Sequence, residues 1–185
     1  MLFPYMSFGK NPSSNIGFYT IHKFALHINI STLSEHHLPQ LNFPAYKFRI
    51  KEEKGQLRIF DPARKKYVLL TPEEWVRQHL IRYLKEEKGY PLGLMKVEKE
   101  FKYNNLSKRA DIIVCTNTGI PLLMAECKSP DVEITQNVFD QAMRYNLVMA
   151  VNIMVLSNGI NHFCFQLDKA NQTYHALTEI PTWGK

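Results

Sequence analysis

The stretch PLLMAECK, residues 121–128, joins an apolar run directly to two charged residues, with no turn residue between them. A short continuous apolar run is typical of a buried strand. Side chains alternate along a strand, so that Glu126 and Lys128 share one of its faces. The sequence therefore predicts a buried strand that ends in a carboxylate and an ammonium group.

A second predicted strand precedes this one, and the residues between the two form a hairpin turn. If the hairpin folds about Thr118-Gly119, Asp111 lies opposite Glu126 and Arg109 lies opposite Lys128. Facing side chains on one side of a sheet have Cβ atoms roughly 5 Å apart. Two carboxylates and a lysine are therefore expected to converge at one end of an apolar sheet, with Cys127 pointing to the opposite layer.

This combination of charges permits two interpretations. Two carboxylates this close repel each other unless a cation lies between them, and Mg²⁺ prefers carboxylate oxygens and water. Lys128 supplies a positive charge that can orient a water or stabilise charge on a phosphate, as metal-assisted phosphodiester hydrolysis requires. The alternative is an ion-pair network in which Asp111 and Glu126 only neutralise Arg109 and Lys128.

The remaining elements indicate the α/β or α+β class. A hairpin is predicted about Lys54-Gly55, and Thr71-Pro72-Glu73-Glu74 is typical of a helix start, with Thr71 as N-cap and Glu74 in a capping box. After Thr71 the predicted order is α-β-β-β-α-β-β, which is a mixed sheet flanked by helices. We divide the chain into a loosely attached extension, residues 1–40, and one domain, residues 41–185.

The second helix, predicted from Thr135 to about Ala150, places two polar residues on its inward stripe. Gln141 and Tyr145 are one turn apart and therefore share a face. They are either a core pair that fixes the packing or a pair directed at the acidic cluster.

Composition restricts the class of protein. The 185 residues are 45% hydrophobic and 22% charged, and no run approaches the roughly 20 apolar residues that span a membrane. Three cysteines without C-x-x-C spacing argue against a zinc site and favour reduced thiols in a cytoplasmic protein.

The net charge of +6 is unevenly distributed. Residues 47–66 contain eight Lys or Arg and three Asp or Glu, a pattern that fits a nucleic-acid contact or a solvated hairpin surface. For the first interpretation, we expect phosphate contacts from Arg64, Lys65, Lys66 and Arg109.

These motifs together resemble a known family. Asp111…Glu126-x-Lys128 is similar to the PD-(D/E)xK nuclease signature, with Arg109-Ala110 in place of the usual proline before the aspartate. Gln141-x-x-x-Tyr145 is similar to the QxxxY motif that accompanies it. The run from Leu41 to about Asp168 resembles the type I restriction enzyme R protein N-terminal domain.

The resemblance implies an α-β-β-β-α-β nuclease core that binds DNA and Mg²⁺ (or Mn²⁺). It implies that Asp111, Glu126 and the backbone carbonyl of Cys127 bind the metal, while Lys128 assists the attacking water. Many members use a further glutamate from the first core helix. We expect Glu74 to be that residue, with Glu73 and Glu98 as the alternatives.

The chain departs from full R subunits in one respect. It contains no G-x-x-x-x-G-K-[ST] motif, so ATP-driven translocation is not expected of it. A helicase or another restriction-modification subunit would be a separate partner. A non-catalytic nucleic-acid-binding or partner-binding domain that keeps the nuclease fold remains the alternative function.

Overall fold

Two sheets and two helices make up the part of the chain that the computed structural model describes, namely residues 38–103, 106–149, 151–171 and 173–184. The helices are α1 (Pro72–Glu86) and α2 (Gln136–Met149). The strands are β1 (Ile50–Glu53), β2 (Gln56–Asp61), β3 (Lys66–Leu69), β4 (Met95–Tyr103), β5 (Leu106–Cys115), β6 (Pro121–Cys127), β7 (Ile153–Ser157), β8 (His162–Asp168) and β9 (Thr173–Leu177). A single 3-10 turn, Leu92–Leu94, precedes β4.

The predicted α-β-β-β-α-β-β order is confirmed, and it continues into one further strand, β9. The five residues of β9, Thr173–Leu177, show no clear alternation of apolar and polar types, so the sequence predicts no strand there. The predicted extension, residues 1–40, lies almost entirely outside the described residues. Its last residues already contact the domain, since the carbonyl of Pro39 accepts a hydrogen bond from Trp75 Nε1 at 3.0 Å.

The capping residues of α1 act as the sequence predicts. Thr71 has extended backbone, and its Oγ1 accepts a hydrogen bond from the backbone N of Glu74 at 3.0 Å. Pro72 occupies the first turn, where its missing N–H costs nothing. This local chemistry brings Glu73 and Glu74 to the beginning of the helix.

The larger sheet has the order β4-β5-β6-β7-β8-β9. All neighbours are antiparallel except β6 and β7, which are parallel and are connected through α2. Every residue of β7 is buried, as expected for a strand with neighbours on both sides and a helix over one face. Ile112 pairs with Ala125, which is the register that the turn at Thr118-Gly119 predicts.

Each face of this sheet is covered by its own hydrophobic core. On one face Ile112, Val114 and Ala125 pack with buried residues of α1 such as Leu80. On the other face Ile113, Met124 and Leu156 pack with residues of α2 such as Met143. No helix in the described ranges has the length and apolar character needed to cross a membrane.

Candidate active site

The carboxylate of Asp111 connects α1 to the end of β6. It is almost completely buried, and each oxygen has a different partner. Oδ1 accepts a hydrogen bond from Arg77 Nη2 of α1 at 2.8 Å, and Oδ2 accepts one from the backbone N of Cys127 at 2.6 Å. Hydrogen bonds to a carboxylate from a cation and from the backbone are among the stronger ones in proteins. They fix Asp111 between the first helix and the end of β6.

The pairing of β4 with β5 is interrupted at Asp111 and resumes on either side of it. Val97 pairs with Ile112 and Lys99 pairs with Ala110, whereas Glu98 between them has φ 54, in the left-handed region. That conformation costs a non-glycine residue about 1 kcal/mol. Backbone strain of this kind clusters at functional sites.

This irregularity changes the direction of the Asp111 side chain. Regular alternation with Ile113 would place Asp111 on the α2 side of the sheet, where Met124 and, by the same alternation, Glu126 lie. The carboxylate instead contacts Arg77 of α1. The pairing of β5 with β6 therefore has the predicted register, but the side chains of Asp111 and Glu126 do not share one face of the sheet as predicted.

The Cys127 side chain points to the side of the sheet opposite to Glu126, as the alternation predicts, but the Asp111 carboxylate lies on that same side. The Cys127 side chain packs in the α1-side core. Burial raises the pKa of this thiol, and the charge of Asp111 raises it further. Because the backbone N of Cys127 donates to Asp111, the residue belongs to the cluster through its main chain.

Three carboxylates meet at this point. One oxygen each of Glu73, Glu98 and Asp111 lies within 4.8 Å of the other two. The residues come from three different elements, α1, β4 and β5, so that only the tertiary structure brings them together.

Arg77 lies among these carboxylates. Its Nη2 atom is 2.7 Å from Glu73 Oε1, 3.0 Å from Glu98 Oε1 and 2.8 Å from Asp111 Oδ1. Burial acts to lower the pKa of the Arg77 guanidinium, but the neighbouring acids, Asp111 foremost, outweigh burial and raise it. Arg77 therefore stays charged and balances part of the negative charge of the cluster.

Glu126 and Lys128 form an ion pair at the end of β6, with Lys128 Nζ 2.9 Å from Glu126 Oε1. Burial raises the pKa of the Glu126 carboxyl, the charge of Asp111 raises it further, and Lys128 partly offsets both effects. Burial acts to lower the pKa of Lys128, but the hydrogen bond and the charge of Glu126 raise it overall. The charge of Asp111 therefore acts on Glu126, as their positions on neighbouring strands predict.

Glu74, the expected helix glutamate, is directed elsewhere. Its Oε1 accepts hydrogen bonds from Arg64 Nη2 at 2.5 Å and from Gln78 Nε2 at 2.8 Å, and its other oxygen contacts Arg77 Nη1. These contacts connect α1 to the small sheet. Glu73, one residue earlier, is the helix glutamate that lies beside Asp111.

The second helix also differs from the expected inward stripe. Ala142, Met143 and Asn146 are buried, whereas Gln141 is exposed. The backbone of Tyr145 lies in α2, but its side chain is outside the described residues. The role expected of Gln141 and Tyr145 stays a prediction.

The four expected phosphate-binding residues fall into two groups. Lys65 and Lys66 are exposed, the first in the turn after β2 and the second at the start of β3. Arg64 is held by Asp61 and Glu74, at 2.6 and 2.5 Å, and Arg109 is exposed while pairing with Glu98 at 2.9 Å. Arg64 is thus held in ion pairs within the domain, whereas the charges of the two lysines lie at the surface.

Two residues of the site were not anticipated in the roles they have here. The only signal for Arg77 was its spacing from Glu73, since residues four apart on a helix are neighbours. Glu98 is expected only as an alternative to Glu74, because nothing in the sequence shows the left-handed backbone that turns it toward Asp111.

The chemistry of the donors fits a hard divalent cation. Mg²⁺ is bound in proteins by one or two carboxylates with water completing its shell, and Glu73, Glu98 and Asp111 offer three such oxygens within 4.8 Å. Burial is the main cause of the raised pKa of Glu126, and the charge of Asp111 adds to it, so a cation bound here would favour the ionised carboxylate.

Comparison with known proteins identifies one family. The sequence profile described as type I restriction enzyme R protein N terminus (HSDR_N) matches residues 72–181. No curated protein matches the chain.

A similar solved structure is a fragment assigned as an HsdR subunit of a type I restriction enzyme from Vibrio vulnificus YJ016. It is 20% identical, with a TM-score of 0.45 over 61% of the present chain. The matched region spans 24% of that fragment, so the chain corresponds to about a quarter of its length.

Proposed function

This chain belongs to the family of type I restriction enzyme R protein N termini, and from that premise we propose that it is a Mg²⁺-dependent nuclease domain that hydrolyses phosphodiester bonds in DNA. The observation that carries the proposal is the meeting of three carboxylate oxygens from three elements within 4.8 Å at Asp111. A partly buried acidic cluster at a strained strand position is expected at a catalytic site and is costly elsewhere.

Asp111 is proposed as the central metal ligand, because its position is defined by the Cys127 N–H and by Arg77. Glu126 and the carbonyl of Cys127 complete the set that the family resemblance implies, and Glu73 or Glu98 adds a carboxylate from the α1 side. When bound, Mg²⁺ would supply Lewis-acid stabilisation of the phosphate and a lower pKa for the attacking water.

Lys128 is proposed as the residue that orients the attacking water or stabilises charge on the phosphate. It is only half-buried, so that its ammonium group can reach a substrate at the carboxyl end of β6. Its raised pKa keeps it protonated at neutral pH, which suits electrostatic stabilisation rather than proton abstraction. The ion pair with Glu126 holds it next to the proposed metal ligands.

A second candidate function is supported by Arg77. A guanidinium that contacts all three carboxylates is an internal counterion, and a domain balanced in this way needs no metal for stability. The chain would then be a non-catalytic domain that binds DNA or another restriction-modification subunit. A helicase subunit remains a proposed partner under either function.

The proposal is tested by the nicking of supercoiled DNA in Mg²⁺ or Mn²⁺. We expect cleavage by the full chain, none in the presence of a chelator, and at least a hundredfold loss for Lys128→Ala, in line with the loss of one electrostatic stabiliser. Lys99→Ala removes an exposed lysine from β4 and is the matched control. Equal cleavage by both variants, or no cleavage by the full chain, would favour the non-catalytic function.

A further inference from the structure

The small sheet β1-β2-β3 has two different faces. Ile59 and Asp61 of β2 are completely buried, and Asp61 Oδ2 accepts a hydrogen bond from Gln78 of α1 at 2.9 Å. Because side chains alternate along β2, Arg58 and Phe60 lie on the opposite face, directed away from α1. We call this second surface the outer face.

The register of the three strands defines the rows of the outer face. Phe60 pairs with Tyr67, and its backbone N donates to the carbonyl of Arg49, so these three residues form one row. Arg58 pairs with Lys51 on one side and with Leu69 on the other, which forms the next row. The outer face therefore alternates aromatic and basic side chains over neighbouring strands.

The rings and the cations of this face are stacked on each other. The guanidinium carbon of Arg49 lies 3.6 Å from the centroid of the Phe60 ring, and Lys51 Nζ lies 4.7 Å from that of Tyr67. The two rings are 5.3 Å apart in an edge-to-face arrangement. A guanidinium placed over a ring offers a planar group of its own, on which a nucleobase can stack.

The charge of the outer face is positive. Arg49, Lys51 and Arg58 are basic, and Glu53 is its one acidic residue within the described ranges, pairing with Arg58 at 2.9 Å and Lys51 at 3.5 Å. Arg49 and Lys51 are exposed, and 44% of Leu69 is exposed beside them. Exposed cations next to partly exposed rings match the two parts of a nucleotide, its phosphate and its base.

We propose that the outer face binds single-stranded nucleic acid, with bases stacked on the Arg49–Phe60 and Tyr67 surfaces and phosphates held by Lys51 and Arg58. Single strands are favoured over duplex because the faces of paired bases are stacked inside the helix and cannot reach an aromatic ring. A duplex would use only the cations and would leave the rings without a role.

This inference deepens the proposed function by naming a strand-binding surface separate from the acidic cluster, and it rests on that function for its biological purpose. Binding at the outer face needs no metal and no cleavage. It is therefore measured in a chelator, where failure of the nuclease proposal has no effect on the result.

The experiment uses the full chain and fluorescence anisotropy with a fluorescein-labelled dT12 strand, and a 12-base-pair duplex of mixed sequence serves as the comparison. We expect tighter binding of the single strand, with a logarithmic salt dependence of roughly −0.7 for each phosphate contacted. Tyr67→Leu should weaken single-strand binding about tenfold, because it removes one stacking surface, and Tyr67→Phe should restore it. Lys51→Ala should reduce the magnitude of the salt slope by about the contribution of one phosphate contact.

The control variant is Lys169→Ala, which removes one exposed positive charge from the turn between β8 and β9. It should change neither the affinity nor the salt slope, and thermal melts establish that every variant is folded. Should Tyr67→Leu not fold, Arg49→Ala takes its place, since Arg49 is exposed and its loss removes the other stacking surface. The proposal is overturned by equal binding of single strand and duplex, by the absence of single-strand binding, or by equal effects of Lys51→Ala and Lys169→Ala.

Discussion

Arg77 Nη2 and Asp111 Oδ1 are 2.8 Å apart, although the two residues are separated by 34 positions in the chain. Both groups are buried, and the pair links the first turns of α1 to the middle of β5. A buried ion pair brings little net stability, yet removing one partner leaves the other charge uncompensated. The Asp111 carboxylate is also the proposed metal ligand. Arg77 and a divalent cation would therefore both neutralise the charge of this one carboxylate.

The first prediction is that Arg77→Met lowers the free energy of unfolding by about 3 kcal/mol, because Glu73, Glu98 and Asp111 lose their counterion. Urea denaturation in a chelator measures this loss. If the cluster binds metal, Mg²⁺ or Mn²⁺ should restore part of the stability of this variant, and the increase in Tm should exceed that of the wild type.

The control for this prediction is Arg82→Met, which breaks a more exposed pair with Glu86 on the same helix. Such a pair contributes at most about 1 kcal/mol, and metal should not compensate its loss. An Arg77→Met variant that is destabilised and indifferent to divalent cations would support the purely structural network.

The second prediction separates metal binding from catalysis. Asp111→Ala should abolish Mn²⁺ binding in isothermal titration and all cleavage, since it removes the central ligand. Lys128→Ala should still bind Mn²⁺ but cleave at least a hundredfold more slowly, because its proposed role is electrostatic. Gln141→Ala, on the exposed side of α2, should give a milder loss of cleavage with metal binding unchanged. Retained Mn²⁺ binding by Asp111→Ala would contradict the assignment.

The third prediction concerns the turn at Gly159. This residue has φ +84, and a Cβ added there would lie 2.7 Å from Leu41 Cδ2 and 3.0 Å from Val76 Cγ2. Gly159→Ala should therefore lose about 1–2 kcal/mol from the left-handed backbone and a further 1–3 kcal/mol, roughly, from overpacking. Gly119→Ala is the matched control, since Gly119 has the same φ with nothing within 4 Å of the added Cβ. Equal losses in thermal melts would mean that Leu41 and Val76 move aside.

The fourth prediction is a pH dependence that comes from His79. Burial lowers the pKa of this imidazole, which stacks with Phe43 at 5.8 Å and whose Nδ1 donates a hydrogen bond to the carbonyl of Trp75 at 2.9 Å. Its neutral form is favoured in the folded state, so the stability it contributes is complete above the unfolded pKa of about 6.5 and is lost as pH falls below that value. The free energy of unfolding should therefore decrease between pH 7.5 and pH 5.5.

His79→Phe should keep the aromatic packing and reduce that decrease. Some acid sensitivity should remain, because burial also lowers the pKa of His162. Urea denaturation at the two pH values measures both effects. An unchanged decrease in His79→Phe would assign the whole pH dependence to other groups.

Much of the fold could be predicted from local patterns. The N-cap at Thr71, the hairpin at Lys54-Gly55 and the register of β5 with β6 each depend on residues that are close in the sequence, and the structure has all three. The short strand β9 was missed, because its sequence lacks the alternation that identifies a half-buried strand.

The candidate site was only partly predictable. The register alone brings Asp111 and Glu126 to neighbouring strands, since a hairpin turn determines which residues face each other. It does not determine which glutamate of α1 approaches them, and the sequence favoured Glu74, whose capping position was recognisable. Arg64 and Gln78 hold Glu74 away from Asp111, and neither contact could be inferred from spacing in the chain.

The sequence by itself determined the order of the elements, the pairing of β5 with β6 and the presence of charged residues at the end of a buried strand, because each follows from local propensity and side-chain alternation. Only the tertiary structure decided that Glu73, Glu98 and Asp111 meet around Arg77. The approach of α1 to the sheet and the left-handed backbone at Glu98 set this arrangement. Both result from the packing of distant segments, which no local pattern encodes.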